Sequence, residues 1–91
     1  MSVKIRLDPY LQWRFTGSRE EVEVEGQTVS ECLSHLVTQF PKIKQQLWDE
    51  QGKLFDFCAI FVNSESLGPE ELTKPLKDGD RLDIILARGA G

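Results

Sequence analysis

Along residues 3–7 apolar and charged side chains alternate, with Val3, Ile5 and Leu7 on one face and Lys4 and Arg6 on the other. A period of two predicts a strand with one buried face. Asp8-Pro9 ends it, because proline has no amide to give to a ladder. Residues 10–18, which hold Trp13, Phe15 and Gly17, read as a loop or irregular hairpin connection packed down by its aromatics. Alternation returns in Glu20-Glu21-Val22-Glu23-Val24-Glu25 and closes at Gly26. The two strands are therefore expected to form an antiparallel hairpin.

The period then changes. Val29, Cys32, Leu33, Leu36, Val37 and Phe40 recur at helical spacing and form one apolar stripe. Thr28-Val29-Ser30-Glu31 in front of it matches a capping box, which fixes where the helix starts. Pro41 stops it, and Lys42 to Leu47 read as a short further helical turn with Ile43 and Leu47 facing in. Phe57 to Val62 is a continuous apolar run of strand length, expected to be internal or interface-forming. Residues 63–66 turn the chain, residues 68–72 read as an irregular connection, and Lys77-Asp78-Gly79-Asp80 is a strong turn. Arg81 to Leu86 is the last strand, with Leu82, Ile84 and Leu86 facing the core and Asp83 and Ile85 facing out. The order β-β-α-β-β predicts an α+β domain: a sheet with its one main helix on one face, and the first and last strands side by side in the middle.

Composition narrows the function classes. A chain of 91 residues supports one modest core and leaves little room for a deep cavity. Net charge is −4 and the basic residues are scattered, which argues against nucleic acid. No run approaches the length needed to cross a bilayer, and the N-terminus reads as a strand rather than a signal peptide, so a cytoplasmic protein is expected. Cys32 and Cys58 are too few for a disulfide scaffold, and with His35 they make no metal cluster at ligand spacing. Cys32 lies on the helix stripe and Cys58 in the apolar strand, so both read as small buried hydrophobes; His35 reads as a solvated helix residue. Trp13, Phe15 and Trp48 read as core or loop anchors.

The remaining feature is the end of the chain. In Ala87-Arg88-Gly89-Ala90-Gly91 every side chain but that of Arg88 is a hydrogen or a methyl. Such a segment buries too little to offset its backbone entropy, so a domain over residues 1–86 and a mobile tail over 87–91 are expected. If Cys58, Ile60 and Val62 point inward, Ala59 and Phe61 point out beside Ile85, which would leave an apolar patch next to the tail.

The element order together with this tail resembles the ubiquitin-like sulfur carriers, of the small molybdopterin synthase subunit and thiamine carrier types. The most specific parts are Lys77-Asp78-Gly79-Asp80-Arg81-Leu82, Phe61-Val62-Asn63 and the glycine-bearing terminus. The resemblance implies a β-grasp fold with a mixed sheet of four to five strands. It also implies a chemistry: an E1-like adenylating enzyme, using ATP and magnesium, activates the carboxylate of Gly91. Sulfur loading gives a thiocarboxylate, which passes to the large subunit of molybdopterin synthase or another sulfur-accepting enzyme. In that scheme Gly89 and Ala90 give access to the partner's channel, and Arg88, Ala59, Phe61 and Ile85 contact the partner. The carrier binds no cofactor or metal itself and is not catalytic alone. Ala90 departs from the family's Gly-Gly ending. Alanine largely loses the left-handed conformations open to glycine, which favours a non-charging binding module as one alternative. A ubiquitin-like protein modifier, which shares the activation step, is the other.

Overall fold

The computed structural model describes residues 2–17 and 19–86, with only the backbone of Phe15 and Pro69. Strand β1 (Ser2–Leu7) leads into helix α1 (Pro9–Phe15), followed by β2 (Glu21–Glu25) and helix α2 (Val29–Gln39). A 3-10 turn and the short helix α3 (Lys44–Leu47) come next. Strands β3 (Cys58–Val62), β4 (Glu65–Ser66) and β5 (Arg81–Leu86) complete a five-stranded sheet in the order β2-β1-β5-β3-β4. The β1–β5 pair is parallel and the other pairs are antiparallel. This is the mixed sheet and the β-grasp arrangement, with the first and last strands adjacent at its centre.

The core is one layer between sheet and helices. Val3, Ile5 and Leu7 of β1, Val22 and Val24 of β2, Ile60 and Val62 of β3 and Leu82 and Ile84 of β5 all bury the same face. Val29, Cys32, Leu33 and Leu36 of α2 cover them, with Leu11, Ile43, Leu47 and Leu76 closing the rim. Val37 and Phe40 lie at the edge of the α2 stripe and are partly exposed.

The start of α2 is built as its sequence predicts, with one change. The Thr28 hydroxyl accepts from the Glu31 amide at 3.1 Å. The Glu31 carboxylate takes the Gln27 amide at 2.8 Å rather than that of Thr28. The next two helix amides are satisfied from outside: Val29 N–H donates to the Lys74 carbonyl and Ser30 N–H to that of Leu72. The connection over residues 72–76 is therefore a cap for α2 as well as a link to β5.

Four expectations are corrected. Within the stretch 10–18 that was expected to be a loop, residues 10–15 are helical, because Pro9–Phe15 is a helix. Asp8 caps it through the Tyr10 amide, and proline at the first helical position needs no amide partner there. The strands β1 and β2 do pair antiparallel, but a helix rather than a hairpin turn joins them. Trp13 is likewise no core anchor: it stands 71% exposed under the Arg14 guanidinium, and among the described side chains of α1 it is Leu11 that reaches the core. Residues 65–66 add a short edge strand where only a turn was expected.

Gly26 marks the tightest approach between strand and helix. A Cβ there would lie 2.9 Å from both the amide nitrogen and the Sγ of Cys32. Since the backbone of α2 cannot yield as a surface side chain would, Gly26→Ala is expected to cost about 1–3 kcal/mol. Urea unfolding reads it directly; a midpoint equal to wild type would show that α2 moves away at no cost.

Candidate functional site

The candidate site is the outward face of the sheet where β5 ends. Its construction starts at the other end of β5, in the residues that set the strand's register. Asn63 and Ser64 both have positive φ, 48° and 74°, and make the tight turn between β3 and β4. The backbone N–H of Asn63 donates to the Arg81 carbonyl at 2.9 Å, and its side-chain oxygen accepts from the Arg81 amide at 3.0 Å. Its Nδ2 donates to Asp80 at 3.1 Å. The other Asp80 oxygen accepts from the Lys77 amide at 2.8 Å. The Lys77 amide first, and then the Asn63 side chain, hold the Asp80 carboxyl below the usual carboxylate range. Gly79, at φ +89°, lets the turn close back on β1, where its amide donates to the Ser2 carbonyl. The Asp-Gly-Asp turn and Asn63 are thus a single clasp that pins the start of β5 between its two neighbours.

From this start the strand alternates. Leu82 and Ile84 are buried, and Ile85 is 43% exposed on the other face. Across the β3–β5 pair, Ala59 stands opposite Ile85 and Phe61 opposite Asp83, each partly exposed. Ala59, Phe61 and Ile85 therefore share the face away from α2. Polar and charged neighbours frame them. Arg81 approaches Asp83 with its Nε 3.5 Å from Oδ1, and the exposed Lys4 and Arg6 lie at the β1 positions paired with Arg81 and Asp83. An apolar centre with a charged rim is the usual anatomy of a protein-binding surface. At the far end of β5, the Leu86 amide donates to the Asp8 carboxylate at 3.1 Å. Arg88, Gly89, Ala90 and Gly91 lie outside the described residues, as does the expected boundary at 87.

The thiols lie apart from this face. Cys32 is fully buried, and burial first, then the charge of Glu31, pushes its thiol up. Cys58 lines a groove of about 650 Å³ together with Leu54, Phe55, Leu67 and Leu72, and burial pushes its thiol up to about 11. A raised value leaves little thiolate at neutral pH, so neither sulfur is primed as a nucleophile. At pH 8 alkylation of Cys58 is expected to be about 100-fold slower than in the unfolded chain, rising steeply towards pH 11. Mass-resolved iodoacetamide labelling measures this; equal rates folded and unfolded would contradict it.

His35 is the residue that sequence reasoning misjudged. It is half-buried, and its Nδ1 accepts the Glu25 amide at 2.7 Å, tying α2 to the end of β2. Gln39 does the same one turn later, donating to the Glu23 carbonyl. Among the described residues no group of three or more His, Cys, Asp or Glu could hold a metal ion. Among them also, no helix is long and apolar enough to cross a membrane.

Comparison with known proteins adds three findings. The profile of the ThiS family matches residues 11–91. The sulfur carrier protein CysO of Mycobacterium tuberculosis is 32% identical over 79 residues, which covers 84% of this chain and 85% of the relative. Among solved structures, the BexX/CysO complex of Amycolatopsis orientalis contains a chain that superposes with a TM-score of 0.82 at 33% identity, covering 98% of this chain and 99% of that one. The small archaeal modifier protein 1 of Methanosarcina acetivorans also superposes at 0.82, with 25% identity and coverage of 99% and 96%.

Proposed function

The chain belongs to the ThiS family, among the ubiquitin-like sulfur carriers, and from that membership we propose that it carries sulfur on the carboxylate of Gly91. An E1-like partner, with ATP and magnesium, forms the acyl-adenylate at Gly91 and releases pyrophosphate. Hydrosulfide, as the sulfide-level donor, then attacks the acyl carbon and displaces AMP, leaving a thiocarboxylate for delivery to a second enzyme. Ala59, Phe61 and Ile85 serve as the docking surface, Arg88 pairs with an acidic group of the activating enzyme, and Gly89 and Ala90 thread its channel. The carrier contributes reach and orientation, and the partner contributes the catalytic groups.

One observation carries this reading. β5 lies at the centre of the sheet with an open, partly apolar outer face beside its C-terminal end, so whatever docks on that face sits next to Leu86, five residues before Gly91. The relatives at 30% identity or more are named as CysO carriers. That favours an acceptor enzyme of a CysO-type pathway over the large subunit of molybdopterin synthase. The likeness to the archaeal modifier keeps conjugation to lysines as the second reading.

The test is intact-mass analysis after incubation with an E1-like enzyme, ATP, magnesium and a sulfur donor. The expected product carries one oxygen-for-sulfur exchange located at Gly91. An unchanged mass, while the same enzyme charges its own carrier in a parallel tube, would overturn the proposal. Recovery from cells of Gly91 in isopeptide linkage, without thiocarboxylate, would replace it by the modifier reading.

A further inference from the structure

We infer that Asp8 is a positioning residue that extends the central ladder by one rung and so fixes how the chain leaves β5. The ladder sets up the need. In the parallel β1–β5 pair, Lys4 stands opposite Arg81 and Leu7 opposite Ile84, and the Lys4 amide meets the Asp80 carbonyl at 3.2 Å. Partners in a parallel pair alternate at evenly spaced intervals. Counted in this register, the Leu86 amide faces β1, and an unbroken ladder would give it the backbone carbonyl of Asp8. That carbonyl is already used: it accepts the Gln12 amide at 3.0 Å as the first bond of α1.

The Asp8 side chain supplies the missing acceptor. Its Oδ1 takes the Tyr10 amide at 2.9 Å and caps α1, while its Oδ2 takes the Leu86 amide at 3.1 Å. One residue thus holds three amides, two at the start of a helix and one at the end of a strand 78 positions away. The base of α1 is secured in turn by Gln12, whose Nε2 donates to the Leu7 carbonyl at 2.7 Å. Without Oδ2 the last described rung of β5 would lose its bond on the β1 side, and the direction of chain exit would widen. Glycine-rich reach is useful only when it starts from a fixed point, because orientation lost before the partner's channel must be regained there.

This inference deepens the carrier reading and rests on it for its consequence, but the link itself can be read without any partner. Asp8→Ser separates the two roles, since a serine hydroxyl is a good helix cap but offers no second oxygen towards Leu86. Residue-resolved hydrogen exchange is expected to show the Leu86 amide exchanging at least about 10-fold faster, with the Ile84 amide little changed. In the charging assay kcat is expected to fall about 10-fold with KM held within about two-fold, because the docking face is untouched. Should Asp8→Ser fold poorly, Asp8→Asn serves instead: it keeps one acceptor oxygen and turns its amide group on the second donor. Equal protection of Leu86 in variant and wild type would overturn the inference. So would faster exchange with an unchanged kcat. Failure of the wild-type chain to be charged, beside a charged control, strikes the carrier reading, and the exchange data still decide the Asp8–Leu86 link.

Discussion

Removal of Gly91 is expected to abolish charging while the domain unfolds at the same urea concentration as wild type. The two halves of this expectation have different physical sources. Among the described residues every buried hydrophobic one lies between Val3 and Ile84, and the clasp at Asn63 and Asp80 and the Asp8 rung all lie within residues 2–86. Deleting the last residue removes none of these contacts, so a change in stability beyond about 0.5 kcal/mol is not expected. The chemistry is far less forgiving. The deletion moves the reacting carboxylate by one residue, about 3.3–3.6 Å of reach, and places an alanine side chain next to it. A misplacement of about 1 Å can already cost about 100-fold where in-line geometry matters, so a loss of at least about 1,000-fold in kcat/KM is expected. The measurement is the fraction of chains adenylated and thiocarboxylated over time. Charging of the shortened chain at the wild-type rate would show that the carboxylate of Gly91 is not the reacting group.

The residues behind this expectation were readable to different depths. The four longer strands, α2 and its cap were legible because alternation, a continuous apolar run and helical spacing all concern burial, and burial decides those elements. The central place of β5 beside β1 was expected as the economical way for one main helix to cover one face of the sheet. The helix α1 was not. Pro9 and the aromatics of residues 10–15 look like a connection when propensity is summed, and among the described side chains Leu11 alone carries the core signal. What makes the helix is the Asp8 cap and the anchoring of Gln12 on Leu7. The role of His35 was hidden because its partner is a backbone amide of β2, which no side-chain pattern reveals. The same reason hid Asp8. Its second oxygen serves a strand that is adjacent only once the fold has closed, and no sequence spacing links residues 8 and 86. The parity of β3 and β5 could be written down from the sequence, but whether their outer face stayed open depended on no other element covering it.

Replacing Ile85 by lysine is the sharper probe of that face, and it is expected to raise KM for the activating enzyme about 30-fold while kcat and stability hold. Ile85 is 43% exposed, stands opposite Ala59 and has no place in the core. A lysine there can keep its ammonium in water, so the free domain loses little. A docked partner changes the balance. The charge must be desolvated against the partner's apolar surface, or the partner must be held off to keep it in water. A penalty of about 2 kcal/mol corresponds to about 30-fold in affinity. Once docked, β5 still ends on the rung that Asp8 makes with the Leu86 amide, so the chemical step is expected to keep its rate. This is the reverse of the Asp8→Ser pattern, in which docking survives and kcat falls. Steady-state charging kinetics alongside thermal melting separates the two. A variant Ile85→Lys with wild-type KM would mean that the partner docks elsewhere, and the apolar patch of Ala59, Phe61 and Ile85 would lose its role.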